Sequence, residues 1–364
     1  MNRRPHDTVV GVIGDHCLDI DFLGSDTGIM SRELETMQIF GSSAQDVRYS
    51  GGGAANIVDL LQEWNVRVLP CGLWNPDKDT NSHALYQNWM SGFVDFKHMV
   101  YGPPTPAYIK FYTHDGEHVF RVNVAVPFDM SLVQDQLINH IQRLNEEIDI
   151  LIVADYDEGG NGILTHEILS TIDEFITCPK IGMSRTRLRQ LQGYDYLILN
   201  EEELLNETDE DSDIIDLERI FDLMRMTKSE RILLTLKGEG AALFEGKFYQ
   251  AQHRSHIENG FGHAELVKIS VPSSPLTQNI NVCGCGDTFT AAFTISIAAG
   301  MSEIESMKNA NAAARAQARK LNGAHVVSHA ECLAEYEELY GKENDGRESK
   351  IDTNEVVSIK ASQD

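Results

Sequence analysis

Short apolar runs set among stretches of helical spacing constrain this chain more than any other feature. TVVGVIGD (8–15), VRVLPCGLW (66–74), DILIVADY (149–156) and YDYLILN (194–200) are too short for helices, and they are rich in leucine and β-branched residues. They read as buried strands. Between them, Ile57, Leu60, Leu61 and Trp64 recur at helical spacing, and helices are expected near 131–146, 164–176 and 302–321. Ser302 with Glu305 predicts a capping box for the last of these. Strands alternating with helices imply a mainly parallel sheet covered on both faces. RILLTLKGEGAALFEGKFY (231–249) reads as strand, turn and strand, and PAYIKFYTHDGEHVFRVN (106–123) as a hairpin turning at Asp115-Gly116. With 364 residues, the chain suits one large α/β domain with an elaboration, or two modest domains.

Charge narrows the function classes. There are 56 acidic against 30 basic residues, a net charge of −26. Such a surface repels phosphate backbones and anionic membranes, so neither nucleic acid nor membrane is an expected partner. An anionic substrate must then be drawn by a local cation or by helix N-termini. The six cysteines (17, 71, 178, 283, 285 and 332) form no CxxC pair or disulfide framework. The N-terminus lacks a signal-peptide core, and no run of 18 apolar residues occurs. A cytoplasmic protein is expected. Residues after about 341 are polar, without a core pattern, and a mobile tail is expected there.

The most informative stretch is NVCGCGDTFTAAFTISIAAG (281–300). Gly284 and Gly286 allow a tight turn and close approach to an anion. The helix that follows points amides and its dipole at that anion. Asp287, in the first turn, can take a proton from a hydroxyl. Phosphoryl transfer asks for these parts: positioning, charge stabilisation and a base. Alone, G-x-G-D equally describes a tight turn with an aspartate cap.

Further matches reverse that balance. Gly14-Asp15 through Asp19, the run Gly51-Gly52-Gly53-Ala54-Ala55-Asn56, Asn200-Glu201-Glu202-Glu203, Thr235 through Gly240, and ANAAA (310–314) occur in order. Together with the glycine turn, they resemble the motifs of the PfkB-type (ribokinase-like) carbohydrate kinases over roughly residues 8–330. Within that family the nearest likeness is to the kinase half of the bifunctional heptose-phosphate kinase/adenylyltransferase, through GDHCLDIDFLG and ADYDEGG. The length leaves no room for the second half. The resemblance implies a three-layer ribokinase-like α/β fold over 8–335, its small β lid built from about 20–50 and 105–125. It implies ATP and Mg²⁺ as cofactors, with Asp287 as base and Gly284, Cys285 and Gly286 as the anion hole. Asp15, Asp19, Gly52, Gly53 and Asn56 would hold the sugar, with Lys110 and Arg121 facing it from the lid. Asn200, Thr235, Gly240 and Asn311 would meet the nucleotide, and Asn200 with Glu203 would organise the metal, through water. A lid-mediated homodimer is a further expectation, because an open lid leaves strand edges to cover.

The chain departs from the family pattern at several points. Asn281 stands for an aspartate, Cys283 for a threonine and Cys285 for an alanine. Glu158 and Gly182-Met183-Ser184 replace two motifs whose lysines suit a sugar phosphate. A carboxylate where a phosphate should bind repels it, although Lys110, Arg121 or Arg185 could compensate. Sugar phosphate and neutral sugar therefore both remain open. So do a nucleoside or vitamin kinase and a non-catalytic sugar- or nucleotide-binding regulator. Cys283-x-Cys285 as a metal or redox pair lacks further ligands nearby, and His253, His256 and His263 read as an exposed loop.

Overall fold

A computed structural model describes residues 8–30, 38–41, 46–77, 80–90, 92–113, 118–156, 162–207, 217–249, 263–276, 280–320, 326–341 and 353–359. Glu158, the Asp115-Gly116 turn, His253, His256, Leu321 and most of the acidic segment after Asn206 lie outside these residues.

The first half of the chain runs β1 (Val9–Gly14), β2 (His16–Met30), β3 (Gln38–Gly41), β4 (Val47–Gly53), α1 (Ala54–Glu63), β5 (Arg67–Trp74), α2 (Thr80–Trp89), β6 (Met99–Tyr101), β7 (Ala107–Thr113), β8 (His118–Val124), α3 (Gln134–Leu144), β9 (Ile150–Asp155) and α4 (His166–Phe175). The second half runs β10 (Lys180–Ser184), β11 (Tyr196–Asn200), α5 (Glu201–Glu207), α6 (Leu217–Thr227), β12 (Arg231–Thr235), β13 (Gly240–Tyr249), β14 (His263–Pro272), α7 (Cys285–Ala298), α8 (Glu303–Ala318), α9 (His329–Tyr340) and β15 (Thr353–Ile359).

Ten strands form the main sheet in the order β15-β14-β13-β12-β11-β10-β9-β1-β5-β6. From β12 to β6 neighbouring strands are parallel, and β13, β14 and β15 join antiparallel at one edge. The sheet is buried on both faces, which explains why its strands read as continuous apolar runs. Val10 and Val12 of β1 pack into a core shared with α1, α7, α8 and α9, while Ile13 packs into a second core shared with α3, α4 and α6.

A second, five-stranded sheet makes the lid. β2 pairs with β4, β7 and β3, and β8 joins β7. Its registers sort the side chains. Asp19, Asp21, Lys110 and Arg121 share one face, and Ile20, Phe22, Ile109, Phe111, Phe120 and Val122 share the other. Phe111 stacks on Phe22 and Phe120 with ring centroids 5.0 and 4.1 Å apart.

Two expectations change. Thr353–Ile359 is not a structureless tail but the edge strand β15, paired antiparallel with β14. At α8, Ser302 Oγ accepts from the Glu305 amide at 3.3 Å, yet the Glu305 carboxylate accepts from Tyr336 Oη instead of returning to Ser302, so half of the expected box forms. The complete box is at α9, between Ser328 and Glu331. Among the described residues no helix is long and apolar enough to cross a membrane.

Candidate active site

The site lies where the C-terminal ends of the parallel strands meet the lid, the usual ligand position in open α/β sheets. Its centre is the start of α7. Gly284 caps that helix at φ 75°, a left-handed conformation that costs glycine nothing and other residues strain. Thr288 makes the first intrahelical bond, its amide donating to Gly284 O at 2.9 Å. The Gly286 and Asp287 amides precede it and have no carbonyl within the helix to bond. The Cys285 amide is already spent on Val282 O at 3.3 Å. A Cβ on Gly286 would meet nothing within 4 Å, so space stands open above this turn.

Asn281 stitches the turn from below. Its Oδ1 accepts from the Cys283 amide at 2.9 Å, and its own amide donates to Ala318 O at 3.0 Å. An uncharged asparagine thus does locally what a side-chain acceptor is needed for. Cys283 and Cys285 are free thiols, and burial raises both, Cys285 to about 12. Among the described residues no cluster of three or more metal-ligating side chains occurs. Neither thiol has the character of a ligand or a reactive nucleophile.

Asp287 is clamped from two sides. Asn56 Nδ2 donates to its Oδ2 at 2.7 Å, and Tyr156 Oη donates to its Oδ1. Burial pushes the Asp287 carboxyl up, while Tyr156, Asn56 and Arg185 hold it down. The net shift is upward. Arg185 stacks over the Tyr156 ring, 4.9 Å from its centroid.

The lid contributes a buried ion pair. Asp19, 4% exposed, receives Lys110 Nζ at 2.5 Å, and the same ammonium lies 3.2 Å from Cys283 Sγ. Lys110 therefore bridges the lid and the glycine turn. Burial alone would lower it, but Asp19, Cys283 and Asp21 hold it above its ordinary value. Burial raises Asp19 despite Lys110 and raises Asp21 to about 7. Gly52 is required here because a Cβ would come within 2.5 Å of Asp19 Oδ1. Gly53 turns the chain into α1 and so delivers Asn56 to Asp287.

Five more of the expected residues also have structural roles within the protein. Asp15 spends both carboxylate oxygens on backbone amides, Tyr156 N at 3.0 Å and Ile163 N at 2.8 Å, so it braces the strand end. Arg121 is exposed, its Nε donating to Asn123 Oδ1 at 2.5 Å and its guanidinium lying over Tyr108. Asn311 is buried, its amide donating to Val271 O and to Tyr340 Oη at 3.1 and 3.2 Å, which gives it a packing role. Thr235 Oγ1 donates to Leu199 O at 3.3 Å at the end of β12. Gly240, at φ 113°, turns the chain into β13.

Asn200 and Glu203 close on each other. The Asn200 amide donates to the Glu203 carboxylate and the Glu203 amide to Asn200 Oδ1, both at 2.9 Å. Burial raises Glu203 to about 7; the Asn200 amide and Arg185 oppose this, and Asp287 adds to it. Both acids thus face the same arginine. A magnesium ion that keeps water and nucleotide oxygens suits this sparse oxygen set better than an all-protein cage would.

Other residues around the site escaped the sequence reading. Tyr156 ends the apolar run 149–156, and its place one residue past β9, beside β1, is the signal that marks it. Asp21 repeats the face of Asp19 two residues on. Ser184 and Arg187 converge on Asp155, at 2.6 Å from Ser184 Oγ and 3.0 Å from Arg187 Nε, and so anchor the strand end that carries Arg185.

This fold and site define a ribokinase-like kinase, with a parallel sheet, a β lid, and an open helix start beside a clamped aspartate. The chain belongs to the pfkB family of carbohydrate kinases, whose family profile matches residues 15–329. Curated relatives include the Bifunctional protein HldE of Bradyrhizobium diazoefficiens, 27% identical over 88% of this chain and 61% of its own length. The protein of the same name from Nitratiruptor is 24% identical over 79% of this chain and 56% of its own length. The chain thus spans about three fifths of the length of these relatives. Among solved structures, Arabidopsis thaliana ribokinase complexed with ribose and ATP superposes with TM-score 0.63 at 17% identity, covering 90% of this chain and 98% of that one. Phosphofructokinase-2 of Escherichia coli in complex with fructose-6-phosphate gives 0.65 at 14%, covering 91% and 99%.

Proposed function

We propose that this chain transfers the γ-phosphoryl group of ATP to a hydroxyl of a sugar, with Asp287 as the base. The observation that carries the reading is the clamped Asp287 beside the unbonded amides at the start of α7. The acceptor hydroxyl sits against Asp287, oriented by Asp19, Asn56 and the glycines at 52 and 53. As its oxygen attacks phosphorus, the bond from the γ-phosphorus to the β-bridging oxygen breaks and ADP leaves. The hydroxyl proton passes to Asp287 Oδ. The amides of Gly286 and Asp287, with Lys110 and Arg185, meet the charge on the phosphoryl oxygens. Asn200 and Glu203 would hold, through water, a Mg²⁺ ion that would supply charge neutralisation. Closing the lid excludes water from the transfer.

A coupled ADP-release assay over pentoses, hexoses, heptoses, nucleosides and their phosphates tests the reading. In Asp287→Asn, kcat should fall about 10²–10⁴-fold, the usual worth of a positioned base, while ATP binding is kept. Near-normal turnover removes Asp287 from this role, and silence across the whole panel favours a binding regulator.

The outer lid face supports a second copy of this chain as partner. Phe120 and Val122 are 40% and 43% exposed on a face otherwise made of stacked phenylalanines and isoleucines. Sedimentation at micromolar concentration should give a dimer that Phe120→Asp dissociates. A wild-type monomer contradicts this assignment.

A further inference from the structure

A cavity of about 270 Å³ opens between the lid and the ends of β1, β5 and β9. It starts at Asp15 and Tyr156, the latter donating to the proposed base, so it continues the site on the acceptor side. Leu73, Pro104, Val126, Phe128, Met130 and Ile163 make most of its wall, with the rings of Tyr108 and Tyr156 beside them. No lysine or arginine belongs to the described lining. Asp15 is its one carboxylate. His16, also in the wall, adds no cation, because burial lowers it to about 4. Two arginines stack on wall residues, Arg121 on Tyr108 and Arg185 on Tyr156, and neither is part of the lining.

A phosphate placed here would lose its hydration and meet the Asp15 carboxylate, with no lysine or arginine in the described lining to pair it. Burying an unpaired charge is among the costliest things a site can do. Apolar walls with aromatic faces instead reward a flat or greasy substituent.

Building on the phosphotransferase reading above, we propose that the acceptor is an uncharged sugar derivative whose end remote from the reacting hydroxyl is apolar or aromatic, as in a glycoside or nucleoside, and that it carries no phosphate. The family resemblance leaves sugar phosphates open, and the cavity decides against them.

Isothermal titration with matched pairs tests this on the intact chain. The pairs are ribose with ribose 5-phosphate, fructose with fructose 6-phosphate, adenosine with its 5′-phosphate, and phenyl glucoside with its 6-phosphate. The neutral member of the tightest-binding pair should bind at least about tenfold tighter than its phosphate, the order expected of an unpaired buried charge. Val126→Lys, at a half-exposed wall position, should narrow or invert that ratio, and Arg121→Gln should leave it in place. The inference is overturned if the phosphorylated member binds as tightly or more tightly, if no neutral member binds, or if Arg121→Gln removes a phosphate preference of the wild type. ADP release is read separately. A neutral preference without ADP release sinks the transfer reaction but leaves the cavity assignment standing. ADP release that favours phosphates does the reverse.

Discussion

Two helix starts in this molecule use the same backbone chemistry for opposite ends. At α9, Ser328 Oγ takes the Glu331 amide at 3.3 Å and the Glu331 carboxylate takes the Ser328 amide at 2.8 Å. Its donors are satisfied from within, and the helix is pinned. At α7 a glycine stands where a capping side chain would be, the amides of Gly286 and Asp287 have no carbonyl within the helix to bond, and a Cβ on Gly286 would meet nothing within 4 Å. The closed start yields stability. The open one gives up that contribution, and it is where we propose that the anion binds. α5 lies between these cases: Asn200 and Glu203 cap each other, yet Glu203 still feels Asp287 and Arg185. A helix N-terminus becomes functional when its caps are withheld, not merely because it is a helix N-terminus.

Filling the open start should break the comparison most severely. Gly286→Val places methyl groups where the phosphoryl group is proposed to sit. It should cut kcat by about 10²–10³-fold, the cost of losing oxyanion-type stabilisation, with Tm nearly unchanged because a Cβ there meets no protein atom. A large fall in Tm with retained activity would show the turn to be structural.

Next in size is Asp21. Its folded value of about 7 stands above the ordinary 3.8. Between those values the folded state holds more protons than the unfolded state, so stability falls as pH rises through the window. Asp21→Asn should therefore stabilise the chain at pH 8 by about 1–3 kcal/mol, the order linkage gives for so large a displacement. The gain should fade toward pH 4. Chemical denaturation at the two pH values measures it, and a constant difference contradicts the burial argument.

The smallest effect belongs to the closed start. Ser328→Ala should cost about 1 kcal/mol of stability, the usual worth of an N-cap, and leave kcat unchanged. An effect on kcat would erase the distinction between the two helix starts.

Much of this arrangement is legible in the sequence where the determinants are local. Gly284 through Asp287 announces a bent helix start, and the glycines from 51 to 53 announce close approach, because conformation there depends on a few adjacent residues. The mainly parallel sheet follows from the alternation of strand and helix runs for the same reason. What is not legible arises between distant segments. Tyr156 reaches Asp287 across 131 positions and Lys110 reaches Cys283 across 173. That Asp15 also braces the strand ends, through the amides of Tyr156 and Ile163, shows only in the fold. Asn311, in a motif-like helix, points into packing with β14 and Tyr340. β15 carries few apolar residues in a polar context, and pairing with β14 alone makes it a strand.

The central claim is that unbonded amides at the start of α7 receive the phosphoryl group in transit. Amide hydrogen exchange across residues 284–288, with and without MgADP and vanadate as a phosphoryl mimic, tests it most directly. The account predicts slowed exchange at Gly286 and Asp287 and no change at Ser328–Glu331. Unchanged exchange at α7, with protection confined to another part of the sheet edge, would contradict it.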